Sequence, residues 1–172
     1  MKLAFIGLGI MGYPMAGHLQ ESGHQVCLYN RTTAKAERWV AEFGGELALT
    51  PAEAALDAEL VMLCVGNDDD VRAVVYGAQG VLAGMAAGRL LIDHTTTSAR
   101  LAEELAARSA QLGIRFLDAP VSGGQAGAEQ GRLTIMVGGD PQDLMAAEPV
   151  MAAYGQRITH VGGHGAGQRC KM

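Results

Sequence analysis

A chain of 172 residues holds one ordinary domain with a core of its own, and with 49% of its residues apolar but only 5% aromatic, that core must be filled by Ala, Val, Leu, Ile and Met. A net charge of −5 argues against a general nucleic-acid-binding or anionic-membrane surface. The three cysteines, Cys27, Cys64 and Cys170, are an odd number without framework spacing, so a reducing compartment is expected rather than a disulfide scaffold.

Cys27 and Cys64 fall in apolar runs and read as small buried hydrophobes. Met1 runs straight into strand-like sequence, so no signal peptide is expected ahead of the domain, and no apolar run approaches the roughly 20 residues of a membrane span. The expected setting is cytoplasmic, with no membrane or nucleic-acid partner.

Strand and helix signals alternate from the first residues. Residues 2–6 form an apolar run ending in Gly7; residues 12–21 carry Met15, Ala16 and Leu19 on one helical face; residues 24–29 read as a second strand. Residues 33–43 place Ala36, Trp39, Val40 and Phe43 at helical intervals, and residues 46–49 are a short strand. The continuous apolar run 60–65 is the pattern of a strand buried on both faces of a parallel sheet. A short helix over 68–75, a strand over 90–93, a helix from about Ser98 to Gln111, and strands over 115–119 and 134–137 follow. Pro141 opens a helix where its missing N–H does no harm, and 158–161 is the last strand. This βαβα order predicts an α/β fold: a Rossmann-like, doubly wound, mainly parallel sheet with helices on both faces. Residues 1–164 read as the domain and 165–172 as the start of a further helix, with barely two turns before Met172. So short a helix at a chain end is expected to be held loosely.

Gly7-Leu8-Gly9-Ile10-Met11-Gly12 is a G-x-G-x-x-G motif. With 24 glycines in the chain that spacing arises easily by chance, so context decides: the motif follows the first strand and opens the first helix of a βαβ unit. Gly7 permits the tight turn, Gly9 lets backbone approach a pyrophosphate, and Gly12 lets helix pack on strand. Free N–H groups and the positive helix end then face the phosphates. An NAD site carries Asp or Glu at the end of the second strand; here the residues are Asn30-Arg31-Thr32. No carboxylate repels a 2′-phosphate, Arg31 offers it a fork, and Asn30 and Thr32 can donate hydrogen bonds, so NADP(H) is expected over NAD(H). Val65, Gly66 and Asn67 follow a buried strand at the end where such sheets bind ligands, and are expected beside the cofactor.

The acidic run Asp68-Asp69-Asp70 reads as charge at a helix start rather than a metal site, and no metal is expected. His94, His160 and His164 lack ligand partners at metal spacing and read as surface or structural residues.

At this point the sequence resembles a known family. Gly7 to Gly12 followed by Pro14-Met15-Ala16 is similar to the opening of the β-hydroxyacid dehydrogenases, among them 3-hydroxyisobutyrate dehydrogenase and the glyoxylate and succinic semialdehyde reductases. Asp93-His94-Thr95-Thr96 resembles the family's D-x-S-T segment, Asp118-Ala119-Pro120-Val121-Ser122-Gly123-Gly124 its substrate loop, and Gly165-Ala166-Gly167-Gln168-Arg169-Cys170-Lys171 its G-x-G-x-x-x-K segment. The resemblance implies hydride transfer between NADP(H) and a small β-hydroxy acid or semialdehyde. It implies Thr96 as a cofactor contact, with helix-capping as its plainer role. It implies Ser122, Gly123 and Gly124 as substrate contacts, a side-chain-poor loop able to aim N–H groups at a carboxylate. It implies Lys171 as the general acid–base, a chemistry that lysine suits because burial and positive neighbours tune it.

The family's C-terminal all-helical domain is absent from these residues, and the asparagine it carries four residues after the lysine falls beyond Met172. The full-length form is expected to be a homo-oligomer, and the chain alone to bind dinucleotide without turnover. A relative of the 6-phosphogluconate dehydrogenase or imine reductase type is the other alternative.

Overall fold

The computed structural model describes residues 1–172. Nine strands and nine helices follow one another along the chain: Lys2–Ile6 (β1), Gly12–Glu21 (α1), Gln25–Tyr29 (β2), Thr33–Phe43 (α2), Glu46–Leu47 (β3), Pro51–Ala55 (α3), Leu60–Leu63 (β4), Asp68–Val75 (α4), Val81–Gly84 (α5), Leu90–Asp93 (β5), Ala99–Gln111 (α6), Arg115–Asp118 (β6), Val121–Ser122 (β7), Gly124–Gln130 (α7), Leu133–Gly138 (β8), Pro141–Met151 (α8), Gly155–Gly162 (β9) and Ala166–Lys171 (α9). No helix is long and apolar enough to cross a membrane.

The main body of the sheet runs β3-β2-β1-β4-β5-β6, and every neighbouring pair is parallel. The order reverses between β1 and β4, so the crevice between those two C-terminal ends is a topological switch point, where such sheets receive ligands. Alternate side chains divide the core in two. Leu3 and Phe5 of β1 and Leu60 and Met62 of β4 pack with α1, α2 and α8. Ala4 and Ile6 and then Val61 and Leu63 pack with the layer of α3 to α6. The period of two with both faces apolar is why these strands read as unbroken hydrophobic runs.

The far end of the sheet departs from simple parallel winding. β8 is antiparallel to β6, at the single pair Asp118↔Gly138, and to β7, while β9 runs parallel to β8. The helices α3, α5 and α7 and the two-residue β7 are too short to show periodicity in the sequence. α3 does carry a local signal: Thr50 accepts the Glu53 amide and Pro51 sits in the first turn. Other boundaries move for identifiable reasons. β4 stops at Leu63, and the amide of Val65 turns to the Thr95 hydroxyl at 3.0 Å. Ser98 is the cap of α6 rather than its first residue, and β9 extends to Gly155 because β8 pairs along its length. Cys27 and Cys64 are half-buried rather than fully enclosed, and Cys170 is exposed.

Candidate functional site

The glycine turn lies between β1 and α1. Gly7 has a φ of +102°, and a Cβ there would stand 2.3 Å from the Cys64 carbonyl oxygen at the end of β4. At Gly12 a Cβ would lie 2.1 Å from the Gly7 oxygen, so α1 sits against the turn at a distance only glycine permits. Gly9 differs: nothing lies within 4 Å of its would-be Cβ. α1 has no side-chain cap, and the amides of Gly9, Ile10 and Met11 meet no acceptor within the chain. A glycine cradle with open space over it and unspent donors fits a pyrophosphate.

Asn30, at the end of β2, serves the turn. Its Oδ1 accepts the Leu8 amide at 2.9 Å and its Nδ2 donates to the Thr32 carbonyl at 3.1 Å, which leaves one amide hydrogen for a ligand. Arg31 and Thr32 are exposed, and Arg31 has no carboxylate partner. A cleft of about 560 Å³ runs from Gly9, Ile10 and Tyr13 across to Lys35 and Arg38 on α2. Lys35 was not among the residues singled out from sequence; a basic residue in the first turn of the helix that follows Arg31 was the available signal.

The loops after β4 and β5 meet at the switch point. Val65 is tied to Thr95 as described, and Asn67 caps α4 through Asp70. Asp68 accepts both the amide and the hydroxyl of Ser98, at 3.1 and 2.6 Å, so it joins the two loops instead of standing free in an acidic cluster. Thr96 is exposed between buried Thr95 and Thr97 and caps nothing; the capping falls to Ser98. Past β6, the loop with Ser122, Gly123 and Gly124 leads into α7, and Gly123 and Gly124 are open to solvent. Lys171 is half-buried, and its Nζ donates to the Ser122 Oγ at 3.2 Å across 49 residues of sequence.

The family described as the NAD-binding domain of 6-phosphogluconate dehydrogenase matches residues 2–162. The chain belongs to this family of NAD-binding domains. It is 56% identical over 171 residues to an uncharacterised oxidoreductase of Shewanella frigidimarina, covering 99% of this chain and 59% of that protein. It is 37% identical over 172 residues to the 2-hydroxy-3-oxopropionate reductase of Escherichia coli, covering 100% of this chain and 58% of that one. The 3-hydroxyisobutyrate dehydrogenase of Mycobacterium tuberculosis, solved with L-serine, superposes with a TM-score of 0.93 at 36% identity, over 99% of this chain and 57% of that one. The chain thus spans somewhat under three-fifths of the length of these relatives.

Two buried acids stand side by side in this coenzyme-binding domain, as partners in the β5–β6 register. Burial, with smaller contributions from the Asp118 and Asp68 charges, holds the Asp93 carboxyl up at about 7 against hydrogen bonds from Thr95. Burial also holds Asp118 above the ordinary range, although the amides of Gly165 and Gln168 pull it down. His94 is buried rather than on the surface. Its Nδ1 faces the Ala119 carbonyl and its Nε2 the Tyr154 hydroxyl, both at 2.7 Å. A carbonyl only accepts, so Nδ1 carries the proton and Nε2 accepts from Tyr154; burial pushes the ring down to about 4 and keeps it neutral. His160 and His164 bond the carbonyls of Gly139 and Phe116.

The terminal helix is not loosely held. Asp118 accepts the amides of Gly165 at 2.8 Å and Gln168 at 3.1 Å, and Arg169 pairs with Glu103 on α6. The sequence carried no local sign of this anchor, because Asp118 lies 47 residues before Gly165.

Proposed function

We propose that this chain is the NADP(H)-binding part of an oxidoreductase that moves a hydride between NADP(H) and a small β-hydroxy acid or its semialdehyde. Residues 1–164 are the dinucleotide domain and 165–172 the start of a separate helix that carries Lys171. The observation that carries this reading is the 3.2 Å approach of Lys171 to Ser122 at the same end of the sheet as the uncapped glycine turn. The nicotinamide, when bound, supplies the hydride donor or acceptor at its C4.

The chain's own residues do the rest. The amides of Gly9, Ile10 and Met11 bind the pyrophosphate, with Gly7, Leu8 and Gly12 shaping the turn. Arg31 meets the 2′-phosphate with Thr32 and the remaining Asn30 hydrogen, and Lys35 adds a second cation from the cleft that it lines with Gly9 and Ile10. Val65, Gly66 and Asn67 line the cofactor's path, and Thr96 presents its hydroxyl towards the nicotinamide end. Ser122, Gly123 and Gly124 orient the substrate carboxylate. Lys171 holds the substrate oxygen, protonating it as a carbonyl is reduced and taking the proton back in oxidation.

The test uses a form of the protein as long as its relatives, assayed with NADPH on a panel of semialdehydes and glyoxylate. Reduction of at least one is expected, and Lys171→Ala should lower kcat by about 10²–10⁴ with little change in NADPH affinity. A Lys171→Ala variant with near-normal turnover assigns proton transfer to another group, and no turnover with any member of the panel removes the substrate class.

A further inference from the structure

One buried side chain joins the exposed Thr96 segment to the helix that carries Lys171. Gln168 is 0% exposed. Its Oε1 accepts the Thr97 amide at 3.0 Å and its Nε2 donates to the Thr95 carbonyl at 2.8 Å. These are the backbone groups on either side of Thr96. Thr95 extends the connection by accepting the Val65 amide through its hydroxyl at 3.0 Å, so the loop after β4 is tied in as well.

On the helix side the anchoring is equally tight. Gly165, the residue that caps α9, has no side chain, and the cap comes from Asp118, whose two oxygens accept Gly165 and Gln168 amides. A Cβ on Gly167 would lie 2.6 Å from the Met136 carbonyl oxygen and 2.9 Å from the Asp118 Oδ2. One on Gly138 would lie 2.6 Å from the Asp118 Oδ1. The first turn of α9 therefore has no room to slide, and Lys171 follows Gln168 by about one turn.

We propose that Gln168 is a positioning residue that couples dinucleotide occupancy at Thr95–Thr97 to the order of the helix carrying Lys171. This rests on the reading of the switch point as a dinucleotide site. A ligand held by Thr96 favours one arrangement of the Thr95 carbonyl and the Thr97 amide, the one in which both ends of the Gln168 carboxamide are satisfied. Coupling of this kind is reciprocal: what orders the segment orders the helix. Each half keeps an anchor of its own, Asp93 on Thr95 and Asp118 on Gly165, so loss of the carboxamide removes the coupling before it removes the fold.

The experiment follows amide hydrogen exchange of the 172-residue chain with and without saturating NADPH. In the unmodified chain, exchange in α9, including the Arg169 and Met172 amides bonded to the Gly165 and Gln168 carbonyls, should slow by about tenfold on binding. In Gln168→Met, which cannot bridge, the slowing at saturating NADPH should fall below about twofold. NADPH binding that leaves α9 exchange unchanged in the unmodified chain overturns the coupling and spares the dinucleotide reading. Slowing that persists in Gln168→Met overturns the assignment to Gln168, and a chain that binds neither NADPH nor NADH overturns both readings together. The unmodified-chain comparison decides the matter even if Gln168→Met does not fold.

Discussion

Asp93 and His94 are neighbours in sequence and opposites in titration. The Asp93 carboxyl is raised to about 7 by burial, so between about pH 4 and 7 the folded chain holds a proton that the unfolded chain has lost. Its contribution is fully present below the unfolded pKa and is lost as pH rises through 7. His94 is lowered to about 4, so below about pH 6.5 the unfolded chain binds a proton the folded chain refuses, and its contribution is lost as pH falls towards 4. Over pH 4–6.5 the two slopes oppose each other. Asp93→Asn keeps an oxygen for the Thr95 amide and removes one slope. The variant is expected to be more stable than the parent at pH 8, by up to about 4 kcal/mol, with the difference vanishing below about pH 4. Urea melts across that range measure it; an unchanged difference at pH 4 and pH 8 contradicts a neutral buried carboxyl.

Arg31 poses the cofactor question at the same scale. It is exposed and free of carboxylates, so its Ala variant should leave the melting temperature alone. It should weaken NADPH by about 1.5–3 kcal/mol, the range for a hydrogen bond to a charged group, and leave NADH nearly unaffected. Calorimetric titration with both cofactors tests this, and equal or tighter NADH binding by the unmodified chain contradicts the preference.

At the scale of elements, the glycine turn separates glycines that the packing requires from one that it does not. A methyl at Gly12 meets the Gly7 oxygen at 2.1 Å, and backbone cannot give way cheaply, so Gly12→Ala must push α1 off β1. About 1–3 kcal/mol is the usual cost of such crowding, and the melting temperature should fall by several degrees. A methyl at Gly9 meets no protein atom within 4 Å, so Gly9→Ala should melt within about two degrees of the parent yet lose NADPH affinity by tenfold or more, since the methyl occupies the space over the cradle. Thermal shift with and without NADPH reads both effects. Loss of stability in Gly9→Ala, or none in Gly12→Ala, would reverse the two roles.

At the scale of the whole molecule, strand order brings distant segments to one edge. The C-terminal ends of β1, β2, β4, β5 and β6 lie side by side because the main sheet is parallel. A polypeptide of these 172 residues is therefore expected to fold and bind NADPH. Gly123 and Gly124 are nevertheless open to solvent and Lys171 only half covered, so water is not excluded and the substrate is not pinned. A misplacement of about 1 Å can cost a hundredfold in rate. Turnover should fall more than tenfold below that of a form as long as the relatives; rates within tenfold on the same semialdehyde panel would mean that the site is complete within these residues.

The sequence by itself determined what local order encodes: alternating elements, buried parallel strands read from unbroken apolar runs, and a glycine turn recognisable by its place between strand and helix. Lys171 and Ser122 stood out by the motifs around them, although nothing local said that they would meet. The tertiary structure alone decided the rest. That Asp118 caps α9, that Gln168 spans Thr96 and that Asp68 holds Ser98 are contacts across 30 to 73 residues, made by single polar side chains with backbone groups or another side chain. Such contacts leave no period in the chain. They form only because the sheet brings the loops together, and burial then requires each polar group to find a partner.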